Sequence, residues 1–154
     1  MADTAPATYP ALERLLVREV LEKYLGSLDD KDWDGIASCF TDDAISHYND
    51  EAEDIHGGKG VADWLHRMVV YNATDHSLSN ARITVDGDTA FAHSIVMATL
   101  HQGEEGVGRV QVRGIVYKDH LVKVGGEWRI TERRHQPTMQ YDAPSVTKIL
   151  YKGN

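Results

Sequence analysis

Eight histidines, His47, His56, His66, His76, His93, His101, His120 and His135, are the side chains best suited to proton chemistry near neutral pH. None stands in an HxH or HExxH arrangement, so the spacing carries no metal-ligand signature, and neither a metal nor another cofactor is expected. A histidine without a metal can still remove a proton next to a carbonyl. It is most effective when a carboxylate on its far ring nitrogen fixes the tautomer and stabilises the imidazolium that forms. The single cysteine, Cys39, cannot make an internal disulfide, which fits a reducing cytosol. It lies in the apolar run Ile36-Ala37-Ser38-Cys39-Phe40, where a buried, inert thiol is expected rather than a nucleophile.

Charge narrows the partners. Twenty-four Asp and Glu against 16 Lys and Arg leave a formal charge of −8, which repels phosphate backbones and anionic lipid surfaces. Neither nucleic acid nor a membrane is therefore expected as a partner. Hydrophobic residues are 42% and charged residues 26% of the chain, an ordinary globular composition. No apolar run approaches the roughly 18 to 20 residues needed to span a bilayer. The 154 residues fit one domain, able to bury roughly 70% of the surface its unfolded form would expose. Residues 1–8 have no basic stretch followed by an apolar one, so they read as a disordered lead and not a signal peptide. A domain over 9–140, a C-terminal tail over 141–154 and a cytoplasmic location complete the expectation.

The elements that must position any site follow from periodicity. From Tyr9 to Leu28 the apolar positions Leu12, Leu15, Leu16, Val20, Leu21, Tyr24, Leu25 and Leu28 recur every three or four residues, predicting an amphipathic helix. Asp29-Asp30-Lys31-Asp32 then makes a polar turn whose Asp32 can cap a second helix, Trp33 to Phe40. A short strand pair is predicted over Ala44 to Tyr48 and about Glu53 to His56, its tip the acidic run Asp50 to Asp54. Gly57-Gly58-Lys59-Gly60 breaks it before a third helix, Val61 to Val70. The period then changes. Ala81 to Val85 and Thr89 to His101 read as antiparallel strands joined at Asp86-Gly87-Asp88. Val107 to Val124 and Glu127 to Gln136 read as two more, joined at Gly125-Gly126, with Pro137 ending the last. Helices first and a long sheet last predict an α+β fold in which a curved antiparallel sheet wraps the helices and encloses an apolar cavity.

Three segments resemble one known family. The string Tyr24-Leu25-Gly26-Ser27-Leu28-Asp29-Asp30-Lys31-Asp32-Trp33-Asp34, followed by Phe40-Thr41-Asp42-Asp43-Ala44, is similar to the amino-terminal signature of SnoaL-like proteins. Asp75-His76-Ser77-Leu78-Ser79-Asn80 and Gly126-Glu127-Trp128-Arg129-Ile130-Thr131-Glu132-Arg133 agree with it. The family belongs to the cone-fold nuclear transport factor superfamily, which includes scytalone dehydratase, bile acid dehydratase and hexachlorocyclohexane dehydrochlorinase. The resemblance implies a catalytic Asp29–His76 dyad, with His76 as base and Asp29 orienting it. It also implies substrate-binding roles for Tyr24, Tyr48, Arg133 and His101, the last only if a one-residue insertion is allowed. Ile115 and Tyr117 depart from scytalone dehydratase, which has a serine and an asparagine there, so a different substrate is expected.

Each of these residues also has a plainer reading. Asp29 alone fits a cap or a solvated turn acid, His76 a strand histidine, and Tyr24 and Tyr48 core residues with wet hydroxyls. By strict alternation Arg133 faces opposite Trp128 and Ile130, so either that face lines the cavity or a bulge shifts the phase. The function the resemblance implies is a cofactor-independent lyase, eliminating water by way of the dyad from a small hydrophobic cyclic or polyketide-like molecule. Isomerisation or cyclisation with the same base, or noncatalytic binding of a small molecule, are the alternatives. A homo-oligomer, trimer or dimer, is implied as well.

Overall fold

The computed structural model describes residues 9–48, 53–104 and 108–144. The expected lead over 1–8, residues 50–52 of the acidic tip and residues 145–154 lie outside the described residues. Pro10 opens α1 (Pro10–Asp30), a position where its missing N–H forfeits no helical bond. Val17, Leu21, Tyr24, Leu25 and Leu28 fall on one face and are buried. The helix stops at Lys31, which adopts a left-handed φ of 60°. Asp32 then caps α2 (Trp33–Ser38) by accepting the Gly35 N–H at 2.9 Å, as the sequence predicts. This helix is shorter than expected. Cys39 O accepts the Ile130 N–H, and the chain enters the sheet from Phe40 as β1 (Phe40–Tyr48).

After β2 (Ile55–His56), α3 (Gly57–Leu65) begins on the very glycines expected to precede it. Gly57 has a φ of +69°, and a side chain on Gly58 would collide with the Ala37 carbonyl. The glycines therefore let α3 lie directly on α2. A short 3-10 helix (His66–Val70) follows. Then β3 (Ala73–Asp86), β4 (Thr89–Gln102), β5 (Arg109–Val124) and β6 (Glu127–Pro144) form an antiparallel meander. The strand order is β2-β1-β6-β5-β4-β3, an unclosed sheet with β2 and β3 at its edges. The expected α+β architecture holds, with one difference in the sheet: β1 joins β6 in parallel.

Two single-residue bulges decide what β6 presents to the core. Leu121 pairs with Ile130 but His120 with Glu132, so Thr131 is an extra residue, its Oγ1 bonded to His120 O at 3.2 Å. Gly114 pairs with Met139 but Ile115 with Pro137, so Thr138 is the second. Pro137 does not end the strand. It stands beside this bulge, where a missing N–H is tolerated, and β6 runs on through residues 141–144 of the expected tail. At the other end of the sheet, Glu13 of α1 accepts Lys123 Nζ at 2.8 and 2.9 Å and Trp128 Nε1 at 2.8 Å. This ties α1 to the β5–β6 turn and registers its far end, where Asp29 stands, against β3.

Candidate active site

Asp29 is the penultimate residue of α1, and its carboxylate grips β3 at two points. Oδ2 accepts the His76 backbone N–H at 2.9 Å, and Oδ1 lies 2.6 Å from His76 Nδ1. Burial works against ionisation of Asp29. The His76 ring and its charge, the Thr74 hydroxyl and the His76 backbone outweigh burial and hold the carboxyl below its ordinary value. An ionised carboxylate only accepts, so it places the ring proton on Nδ1 and leaves Nε2 with the basic lone pair. The His76 side chain is 4% exposed and lines a cavity between the helices and the sheet.

Two further residues support this grip, and neither was singled out from the sequence. Lys31 Nζ donates to Thr74 Oγ1 at 2.9 Å and to Leu28 O at 3.2 Å. Burial lowers the Lys31 pKa, against the raising effect of Asp29 and Asp30. The left-handed backbone at Lys31 turns the chain so that its ammonium returns over Thr74. Lys31 lies inside the string that carries the family resemblance, but its contact with a strand 43 residues away has no sequence signal.

The cavity has a volume of about 240 Å³. Tyr24, Tyr48 and Tyr117 line it, the first two with hydroxyls 2.8 Å apart. Burial raises the pKa of all three, so each stays a neutral phenol able to donate a hydrogen bond. Tyr24 and Tyr48 thus stand on the same cavity as His76.

Arg133 and His101 are corrections. The Thr131 bulge does turn Arg133 inward, but the side chain is buried beneath the tyrosines and does not line the cavity. Asp119 takes its Nε and Nη2 at 2.7 and 2.8 Å, and its guanidinium carbon lies 4.0 Å from the Tyr24 ring centre and 4.3 Å from that of Tyr117. It is a core cation that props the tyrosines. His101 does not line the cavity either, although it is buried: the alternation along β4 breaks at Leu100 and His101, which are both enclosed.

His135 and Arg113 do line it, and sequence reasoning passed over both. The His135 ring stacks on Tyr48 with centroids 5.2 Å apart, and burial, followed by the charge of Arg133, pushes its pKa down to about 4. It is therefore neutral at physiological pH, and its enclosed Nδ1 has no hydrogen-bond partner among the described residues. The phase shift at Thr131 that buries Arg133 also turns His135 inward. Among the described residues no group of three or more His, Cys, Asp or Glu could hold a metal ion, and no helix is long and apolar enough to cross a membrane.

A half-buried carboxylate, a histidine on the cavity wall with its second nitrogen unused, and neutral phenols on the same cavity form an arrangement able to abstract a proton and stabilise the oxyanion that results. Comparison with known proteins agrees with the fold. An uncharacterized protein of Mycobacterium tuberculosis is 27% identical over 123 residues, covering 79% of this chain and 82% of its own. A Novosphingobium aromaticivorans structure named as a candidate scytalone dehydratase superposes with a TM-score of 0.73 at 23% identity, over 92% of this chain and 95% of that one. A hexachlorocyclohexane dehydrochlorinase does so with a TM-score of 0.78 at 18% identity, over 90% and 94%. At these identities the two structural likenesses concern the fold. The family model of the SnoaL-like domain matches residues 10–134, so the chain belongs to the SnoaL-like family.

Proposed function

We propose that the protein is a cofactor-independent lyase that eliminates water from a small cyclic or polyketide-like molecule with an acidic C–H. The observation that carries this reading is the 2.6 Å contact of Asp29 with His76 Nδ1, in a histidine that lines a cavity. His76 Nε2 takes the proton from the carbon next to a carbonyl, and the electron pair of that C–H bond becomes an enolate. The enolate collapses to a carbon–carbon double bond as hydroxide leaves the neighbouring carbon, and the imidazolium returns its proton to that hydroxide as water. Asp29 holds the ring and stabilises the imidazolium. A tyrosine hydroxyl of the Tyr24–Tyr48 pair donates to the enolate oxygen, and the neighbouring dehydratase and dehydrochlorinase folds lend support to elimination.

The test is a panel of cyclic β-hydroxyketones followed by mass spectrometry. Loss of one water by the wild-type protein, absent in His76→Ala with an unchanged circular dichroism spectrum, is the expected result. Full turnover by His76→Ala would sink the reading; products of unchanged mass would replace elimination by isomerisation or cyclisation.

A further inference from the structure

The cavity contains a cation that nothing in the proton-abstraction scheme uses. His76 on β3 pairs with Ala98 on β4, Ala98 with Arg113 on β5, and Arg113 with Gln140 on β6. All four line the cavity, and strands lie about 4.8 Å apart, so the backbones of the base and of Arg113 are roughly 10 Å apart. Between them stands Ala98, a buried methyl that leaves the space above it open.

Arg113 is held in place but not neutralised. Its Nη2 donates to Gln111 Oε1 at 3.1 Å and to Tyr71 Oη at 3.3 Å, and Tyr71 itself donates to Gln111 at 2.8 Å. Gln111 is 4% exposed, so the support is a buried one. The carboxylate in this network, Asp142, bonds Gln111 at 3.4 Å and lies 3.7 Å from Arg109, not on Arg113. Arg113 Nε is enclosed and lacks a hydrogen-bond partner among the described residues. A buried donor on a charged group is expensive to leave unmet, and among the described residues no carboxylate forms an ion pair with Arg113 to offset its charge. The charged groups just behind the cavity wall among the described residues have partners: Asp29 in His76, with Lys31 close by through Thr74, and Arg133 in Asp119.

We infer that Arg113 is a specificity-determining residue, and that the substrate class is a ring-sized organic acid whose carboxylate docks on the Arg113 guanidinium while its acidic C–H faces His76 across Ala98. The inference rests on the same cavity as the proposed function and names what enters it. A planar fork suits a carboxylate better than a neutral oxygen, and a site with an unpaired donor discriminates strongly against a ligand that cannot meet it.

The experiment measures binding without turnover, by isothermal titration of 2-naphthoate and of its neutral isostere 2-naphthamide. Wild-type protein is expected to bind the carboxylate at least about tenfold more tightly than the amide. Arg113→Met is expected to bring the two within twofold of each other, and His76→Ala to leave the preference intact. No preference in the wild type, a preference that survives Arg113→Met, or no binding of naphthoate at millimolar probe overturns the inference. Should Arg113→Met fail to fold, Arg113→Lys decides, because it keeps the charge and loses the fork: a preference reduced severalfold supports the assignment and an unchanged one overturns it. Failure here leaves the dyad untouched, and an inactive dyad variant leaves this binding preference untouched.

Discussion

Two carboxylates each grip a basic side chain in this molecule, at nearly the same distance, and the two pairs serve opposite ends. Asp29 lies 2.6 Å from His76, and Asp119 lies 2.7 and 2.8 Å from Arg133. The first pair touches the cavity through His76, whose second ring nitrogen the carboxylate leaves unused. The second is sealed, at 0% and 1% side-chain exposure. The difference shows that a short carboxylate contact is no mark of function by itself; what matters is whether one partner keeps a reactive atom facing open space.

The comparison can be broken at either pair. Asp29→Asn removes the orienting charge and is expected to lower kcat by about four orders of magnitude, as loss of the orienting acid does in serine triads, with thermal unfolding little changed. A steady-state assay beside a melting curve reads both; equal losses of stability and rate would make the two pairs alike. At the sealed pair the outcome reverses. Asp119→Asn leaves Arg133 charged and unpartnered among aromatic rings, which is expected to cost about 3–5 kcal/mol of stability in urea unfolding. The protein that remains folded should keep its dyad.

The smallest effect lies between the pairs, at His135. Its folded pKa of about 4 is below the ordinary histidine value near 6.5, so the unfolded chain binds the proton more readily. Stability is full above about pH 6.5 and is lost as pH falls toward 4, by up to roughly 3 kcal/mol at 1.36 kcal/mol per pKa unit. Asp29, also lowered, sheds stability at still lower pH, below the ordinary carboxylate range. Unfolding free energies across pH 4 to 7 should therefore slope in the wild type, and His135→Phe, which keeps a ring against Tyr48, should flatten the slope.

The helices were legible because their apolar residues repeat at three and four, and the meeting of Asp29 with His76 because the two fall in separate segments that match one family. The rest was hidden for physical reasons. β3 starts at Ala73, eight residues before the predicted strand, because its inward positions Thr74 and His76 belong to the site and are polar, which erases the alternation. The direction of Arg133 and His135 depended on Thr131, and an extra residue in a strand has no composition of its own. The place of Arg113 on the cavity wall had no sequence signal, because its neighbours Tyr71 and Gln111 meet it only once the strands are paired.

The bulges at Thr131 and Thr138 also bear on how such a chain can change over generations. Removing Thr131 would leave Ile130, Glu132 and Arg133 in regular alternation with the partners they already have, so Arg133 and His135 would stay on the inner side. Most substitutions in this cavity alter one contact at a time. A codon lost at Thr131 would instead leave every inner residue in place, which makes this position a point where the length of β6 can vary without changing what the cavity accepts.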